Sequence, residues 1–234
     1  MSGLVYIVSA PSGSGKSTLT AEMLKTIPDL EFSISYTTRC PRGSEKHGRE
    51  YFFCRRTDFE RMIQNDEFLE HAEVFGDCYG TARHFVEDAK ARMHDVLLDI
   101  DVQGAAQVKR RLPDAVSIFI LPPSRHELER RLRRRSEADK VDDEVISRRL
   151  RGAGREIENY PAYDYILVND QLEYSIDELK AIILSERIRR SGQGLTPEAK
   201  QIVDAADCNR LDKVRDRVQE ILAGFIQPVL PNKG

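Results

Sequence analysis

The sequence lacks any apolar run that could cross a membrane, because no stretch approaches the roughly 18 residues that a spanning helix needs. Nothing at its N-terminus resembles a signal peptide, since the first residues lead straight into an apolar strand without a basic region. No internal repeat or low-complexity tract interrupts its 234 residues. We therefore expect a cytoplasmic protein without a membrane partner, built as one domain or as one domain with a small appendage.

Cysteine is scarce, and neither sign of charge dominates. The four cysteines have no C-x-x-C spacing and no histidine cluster near them, so the sequence predicts neither a zinc site nor a disulfide framework. The 36 basic residues face 39 acidic residues, which leaves a formal net charge of −3. This balance gives no general reason to expect a nucleic-acid partner, and any basic surface must be local.

Apolar runs alternate with helical spacing along most of the chain. The runs fall at 4–9, 95–100, 116–121 and 165–168. This alternation predicts an α/β fold with a central parallel sheet flanked by helices. Residues 31–82 are different, because Thr-, Arg- and Tyr-rich segments punctuated by glycine indicate an inserted lobe of short strands.

The segment Ala10–Thr18 matches the phosphate-binding pattern G-x-x-x-x-G-K-[ST] at every position but the first, where Ala10 replaces glycine. It follows a predicted strand and opens a predicted helix, which is the context that the pattern requires. Glycines let the backbone N–H groups turn toward phosphate oxygens, Lys16 reaches the β- and γ-phosphates, and the Ser17 hydroxyl ligates Mg²⁺. The predicted ATP-binding residues of this loop are Ala10, Pro11, Ser12, Gly13, Ser14, Gly15, Lys16, Ser17 and Thr18.

Two carboxylates follow the apolar run that ends at Leu98. Asp99 and Asp101 stand at the carboxyl end of a predicted strand, where open α/β sheets place their ligands. Asp99 occupies the position from which a carboxylate helps to hold the hydration shell of Mg²⁺. We therefore predict Ser17 as a direct ligand of Mg²⁺, and Asp99 as a ligand through water.

Three long segments resemble the nucleotide-binding segments of guanylate kinases: 33–51, 67–81 and 98–104. The resemblance runs in the family's order from about Leu4 to Arg190, so it is far more specific than a phosphate loop alone. It implies a kinase that uses ATP with Mg²⁺ to convert GMP to GDP.

The resemblance also assigns the residues that bind GMP. Arg39 and Arg42 offer two guanidinium forks for one phosphate group, and Glu70 offers a carboxylate to the parallel N–H donors of guanine. The full predicted GMP-binding set is Ser35, Arg39, Arg42, Glu45, Tyr51, Glu70, Tyr79, Thr81 and Asp101.

An arginine-rich run, 125–135, holds six arginines in eleven residues. Charge alone would favour an RNA-binding patch or a solvated helix face. Its position after Pro122-Pro123, and a second arginine cluster at 148–151, favour a lid that closes over the transferring phosphoryl group. By resemblance, the catalytic set is Lys16, Arg39, Arg131, Arg135 and Arg149, and Asn169 lies near the adenine of ATP.

The predicted domain spans residues 1–190. Its core takes 1–32, 83–124 and 157–190, with a GMP-binding lobe at about 33–82 and a lid at about 125–156. Residues 191–234 form an extension with a predicted helix near 197–225. Its apolar stripe would pack on its own domain or on a second subunit, so a homo-oligomer stays open.

Two other functions stay open beside GMP phosphorylation. A guanylate-kinase-like scaffold would keep the fold and bind protein ligands, although such domains sit in longer chains with other modules. A kinase for AMP, dTMP or a sugar phosphate would share the phosphate loop. The combination of Glu70, Ser35 and Thr81 argues for guanine.

Overall fold

The computed structural model describes residues 3–74, 76–139 and 143–225, with the side chains of 135–139 outside that description. In chain order, the strands are β1 (Val5–Ser9), β2 (Leu30–Phe32), β3 (Tyr36–Thr37), β4 (Phe52–Phe53), β5 (Phe68–Val74), β6 (Asp77–Ala82), β7 (Asp95–Asp99), β8 (Val116–Leu121) and β9 (Tyr165–Val168). The α-helices are α1 (Lys16–Thr26), α2 (Arg56–Gln64), α3 (Arg83–Ala91), α4 (Val102–Arg111), α5 (Arg125–Asp139), α6 (Asp143–Ile157), α7 (Leu172–Ser191), α8 (Pro197–Asp207) and α9 (Leu211–Phe225). Within the described ranges, none of them is both long and apolar enough to cross a membrane.

The described residues form two compact units, one from 3–9 and 20–117 and the other from 10–19 and 118–225. In the first unit, β7 pairs in parallel with β1 on one side and with β2 on the other. Val96, Leu97 and Leu98 are fully buried, as expected for parallel strands that are covered on both faces. In the second unit, β8 and β9 also pair in parallel. The predicted α/β class, a parallel sheet flanked by helices, is confirmed.

A second sheet in the first unit has the strand order β4-β3-β6-β5. β5 and β6 form an antiparallel pair in which Glu70 lies opposite Thr81. The sheet packs on α2 through a small apolar core of Phe59, Phe68 and Cys78. These short strands are the ones predicted for the inserted lobe, and they place Glu70 and Thr81 side by side.

The C-terminal part of the second unit contains two helices where the sequence predicts one. α8 ends at Asp207 and α9 begins at Leu211, because the backbone between them turns to pair with β9. The carbonyl oxygen of Asn209 accepts a hydrogen bond of 2.8 Å from the N–H of Ile166. This pairing satisfies a backbone donor of β9, so the break between the helices has a structural reason.

Candidate active site

The phosphate loop has the backbone geometry that its glycines predict. Gly13 and Gly15 have φ values of +94° and +91°, a conformation that residues with a Cβ atom rarely adopt. The N–H of Ser14 donates to the carbonyl of Pro11 at 3.1 Å, and α1 begins at Lys16. The N-terminus of α1 therefore opens directly from the loop, which is the arrangement that binds phosphate.

Asn169, which directly follows β9, forms a hydrogen bond with this loop. Its side chain is 4% exposed, and its Nδ2 donates to the carbonyl oxygen of Ser14 at 2.8 Å. A Cβ atom at Gly15 would lie 2.2 Å from the same Nδ2, so the approach is possible only because Gly15 has no side chain. The location of Asn169 near the adenine, which the resemblance implies, stays a prediction, and the structure shows the contact of its amide with the phosphate loop.

Arg131 lies on α5 and reaches the same neighbourhood. Its guanidinium donates to Glu127 Oε1 at 2.7 Å and to the carbonyl oxygen of Asn169 at 3.0 Å. Hydrogen bonds from Arg130 and Arg131 lower the pKa of Glu127 to about 2. Sequence reasoning missed Glu127, although its spacing of four residues from Arg131 is a signal for a helical ion pair.

The other two predicted lid arginines are placed less fully. Arg149 lies half-buried on α6. Arg135 lies in α5, but its side chain is outside the described residues. The catalytic assignments of both arginines therefore stay predictions.

In the first unit, Arg39 and Glu45 form a bidentate ion pair. Arg39 is 8% exposed, and its Nη1 and Nη2 donate to the two carboxylate oxygens of Glu45 at 3.0 and 2.9 Å. The backbone N–H of Arg42 donates to the same carboxylate at 2.7 Å. These hydrogen bonds, the one from Arg39 first, lower the pKa of Glu45. Glu45 thus fixes the orientation of Arg39.

Two tyrosines stand beside this pair. The guanidinium carbon of Arg39 lies 5.3 Å from the ring centroid of Tyr51, and the rings of Tyr51 and Tyr79 are 5.9 Å apart. Burial raises the pKa of the Tyr51 hydroxyl, with Asp99 contributing as a nearby negative charge. The structure therefore brings together Arg39, Tyr51 and Tyr79, whereas the side chain of Arg42 is exposed.

Glu70 is a buried carboxyl group with 4% exposure. The Thr81 hydroxyl donates to its Oε1 at 2.7 Å. Desolvation raises the pKa of Glu70 to about 7, with the negative charge of Asp101 adding to the shift. A ligand with N–H donors would stabilise the charged form of Glu70 and offset part of the free-energy cost of desolvation.

Asp101 and Ser35 also lie in the first unit. Asp101 caps α4, because its carboxylate accepts from the backbone N–H of Gly104 at 2.8 Å. Its charge also acts on Glu70, as noted above. The backbone carbonyl of Ser35 accepts from the N–H of Phe52 at 2.9 Å, so Ser35 is tied to β4.

Sequence reasoning missed the way in which α4 holds β5. The Gln107 side-chain amide donates to the carbonyl oxygen of His71 at 2.7 Å and accepts from the His71 N–H at 3.2 Å. Arg111 donates to the carbonyl oxygen of Phe68 at 2.6 Å. These contacts fix the backbone of β5 on both sides of Glu70. No local pattern indicates them, because residues about 40 positions apart make each contact.

Gly104 leaves the space that the Glu70 carboxylate occupies. A Cβ atom there would lie 2.5 Å from Glu70 Oε2, which is far below van der Waals contact. We expect Gly104→Ala to raise the KM for GMP roughly ten- to a hundredfold, since a displacement of about 1 Å can have such an effect. Thermal stability should fall, because forcing a methyl group against a buried side chain costs about 1–3 kcal/mol, which exceeds the roughly 0.5–1 kcal/mol by which a helix favours alanine over glycine. Steady-state kinetics and a melting curve measure the two effects.

A double variant sharpens this test. Adding Glu70→Asp shortens the acid by one methylene and makes room for the new methyl group, so part of the lost GMP affinity should return. If Gly104→Ala alone leaves the KM for GMP at the wild-type value, Gly104 has no role in placing the carboxylate.

The raised pKa of Glu70 predicts a pH dependence of GMP binding. The carboxylate form is the one predicted to accept hydrogen bonds from guanine, and it is lost as the pH falls through about 7. The apparent affinity for GMP should therefore be about tenfold weaker at pH 6 than at pH 8, which calorimetric titration at both values measures. Glu70→Gln is the control, because its amide does not titrate. The GMP phosphate titrates near pH 6 and affects binding to both proteins equally. The same pH response in both proteins would contradict the prediction.

A glycine loop between a parallel strand and a helix binds the phosphates of a nucleoside triphosphate. The separate sheet with its own buried carboxylate and arginine suits a second, smaller nucleotide. These features place the protein in the class of P-loop nucleoside monophosphate kinases.

Comparison with known proteins identifies the family. The guanylate kinase family profile matches residues 2–186. Over 225 residues the chain is 62% identical to the guanylate kinase of Koribacter versatilis, covering 96% of this chain and 97% of that protein. It is 52% identical to the Escherichia coli O157:H7 guanylate kinase over 82% of this chain and 92% of the relative. The chain belongs to the guanylate kinase family.

A solved structure agrees with this result. The crystal structure of guanylate kinase from Anaplasma phagocytophilum aligns with a TM-score of 0.66 at 37% identity. The alignment covers 80% of this chain and 87% of that one.

Proposed function

We propose that this chain transfers the γ-phosphoryl group of ATP to GMP, in the reaction ATP + GMP ⇌ ADP + GDP. The observation that carries the acceptor assignment is the buried pair of Glu70 and Thr81. Guanine presents its N1–H and N2 amino group as parallel donors, which a carboxylate accepts in one plane. Adenine has no such donor pair on this edge, so the same site would reject AMP.

The predicted phosphate-binding cluster lies in the same unit as Glu70. Arg39 and the hydroxyl groups of Tyr51 and Tyr79 would hold the GMP phosphate, with Glu45 keeping the guanidinium in place. Ser35 would contact the base, and Arg42 would bend its exposed side chain toward the phosphate. Binding from both ends fixes the direction in which the phosphate oxygen points.

The transfer needs no side-chain nucleophile. An oxygen of the GMP phosphate forms a bond to the γ-phosphorus of ATP, while the bond from that phosphorus to the bridging oxygen breaks and leaves ADP. Lys16 and the arginines of the lid, Arg131, Arg135 and Arg149, would stabilise the charge on the transferring group. Arg131 is already held by Glu127 and Asn169.

Mg²⁺ would enter with ATP. Within the described residues, no group of three or more His, Cys, Asp or Glu side chains could hold a metal ion. Ser17 and Asp99 offer one hydroxyl and one carboxylate, a donor set that fits a Mg²⁺ which takes most of its ligands from water and the nucleotide. Ser17 would contribute its hydroxyl and Asp99 a water-mediated contact, and the ion would neutralise negative charge on the phosphates of ATP.

Product analysis tests the activity directly. Incubation with ATP, GMP and Mg²⁺ should produce ADP and GDP in equal amounts, which chromatography measures. A guanylate-kinase-like scaffold would give neither product. Formation of ADP without GDP would indicate hydrolysis of ATP.

The cellular setting is a further part of the proposal. All four cysteines are free thiols. This supports a reducing compartment such as the cytoplasm. The oligomeric state stays a prediction, and light scattering on the full-length protein measures it.

A further inference from the structure

The C-terminal extension is tied firmly to the rest of the second unit. Arg189 on α7 donates to Asp207 at the end of α8 at 2.6 Å, and Arg210 donates to Glu186 at 2.9 Å. The Tyr165 hydroxyl also donates to Glu186, and the Arg210 guanidinium lies 4.3 Å from the centroid of the Tyr165 ring. The start of α9 is therefore fixed against β9 and α7.

The end of α9 contacts α5 and α6, the two helices of the predicted lid. Phe225 packs against an apolar cluster of residues from both lid helices, Leu128, Leu132, Ile146, Leu150 and Ala153. A Cβ atom at Gly154 would lie 3.9 Å from the Cβ of Phe225, so the helix also approaches α6 closely. Since α8 and α9 lie beyond the part of the chain that matches the family profile, this contact is outside the family's common domain.

The same apolar cluster contacts the phosphate loop. A Cβ atom at Gly13 would lie 3.0 Å from Leu128 Cδ1 and 3.0 Å from Leu132 Cδ2. These two leucines are fully buried. A continuous packed path therefore leads from Phe225 through the lid core to the loop that holds the phosphates of ATP.

We propose that Phe225 is a positioning residue for ATP, acting through Leu128 and Leu132 on the phosphate loop and on the lid arginines. The proposal rests on the assignment of the loop to ATP. It gives the extension a role in the reaction beyond completing the fold, because Phe225 of α9 and the loop residue Gly13 both contact the cluster that contains Leu128 and Leu132. The residues predicted to bind GMP are not part of this cluster, so the effect should be confined to the donor nucleotide.

A cavity beside Phe225 explains why its ring matters. The cavity measures about 460 Å³ and is lined by Arg125, Glu129, Ser147, Leu150, Arg151 and Phe225. Removal of the ring would enlarge a space that already exists, and α5 and α6 would lose its apolar contact.

The experiment compares variants of the full chain at position 225. Phe225→Ala should lower kcat/KM for ATP about tenfold, within the range found for coupling through packed residues, and leave the KM for GMP within about twofold. Phe225→Leu keeps an apolar side chain against the cluster and should restore most of the value for ATP. Unchanged kinetics for ATP in Phe225→Ala would overturn the proposal.

Val218→Ala is the matched control on the same helix. Val218 is fully buried but is not part of the lid cluster, so its truncation should lower the melting temperature without a selective effect on ATP. If it lowers kcat/KM for ATP as much as Phe225→Ala does, general destabilisation explains both and the proposal fails. An inactive wild-type protein would instead refute the proposed function itself.

Discussion

Glu70→Ala is expected to raise the KM for GMP about thirtyfold to several hundredfold, while the KM for ATP stays near the wild-type value. The carboxylate of Glu70 is buried beside the Thr81 hydroxyl. In the variant, water therefore cannot easily take over the hydrogen bonds that the carboxylate makes to guanine. Loss of hydrogen bonds to a buried base costs on the order of 2–4 kcal/mol. The effect should be confined to GMP because Glu70 is assigned to the base of GMP, whereas the phosphate loop is assigned to ATP.

Steady-state kinetics with each substrate varied in turn measures this effect. Glu73→Ala is the matched control, because Glu73 lies on the same strand but is exposed and pairs with Arg56 on the surface. It should leave both KM values unchanged. An unchanged KM for GMP in Glu70→Ala would refute the assignment of Glu70 to base recognition.

Lys16→Met should lower kcat by about a hundredfold or more even when both substrates saturate. Lys16 belongs to the phosphate loop and is the first residue of α1, and the loop pattern predicts that its ammonium group acts on the β- and γ-phosphates. Removing one preorganised charge that stabilises a transition state typically costs a factor of about 10²–10³. Methionine keeps much of the apolar length of lysine, so the fold should tolerate the change.

The control for this variant lies on the same helix. Lys25→Met changes an exposed lysine in the last turn of α1 that pairs with Glu22, and it should leave kcat unchanged. Circular dichroism of both variants shows whether the helix is retained. If Lys16→Met retains full kcat at saturating ATP and GMP, the loop does not serve the transferring phosphoryl group.

The features that can be predicted from the sequence are those whose residues lie in one short stretch of the chain. The phosphate loop is contiguous, and glycine with positive φ is required at Gly13 and Gly15 by backbone sterics alone. The Glu70–Thr81 pairing follows from segments that resemble the guanylate kinases, and the hairpin of β5 and β6 brings them into register.

The features that sequence reasoning misses depend on distant parts of the chain. Gly104 and Gln107 act on β5 from α4, and nothing in their local sequence shows which strand α4 will face. Asn169 contacts the Ser14 carbonyl across 155 positions. The single helix predicted for 197–225 divides at Asn209 for the same reason, because β9 supplies a backbone partner that the local pattern does not reveal.

The central claim is that the lobe around Glu70 selects guanine, while the phosphate loop selects only the phosphoryl donor. The ratio of kcat/KM for GMP to kcat/KM for AMP tests this claim most directly. A site whose buried polar groups are left unpaired rejects the wrong ligand by a factor of about 10⁴–10⁵. We expect the wild-type ratio to exceed about a thousandfold and to collapse in Glu70→Ala. Comparable turnover of AMP by the wild-type protein would contradict the account.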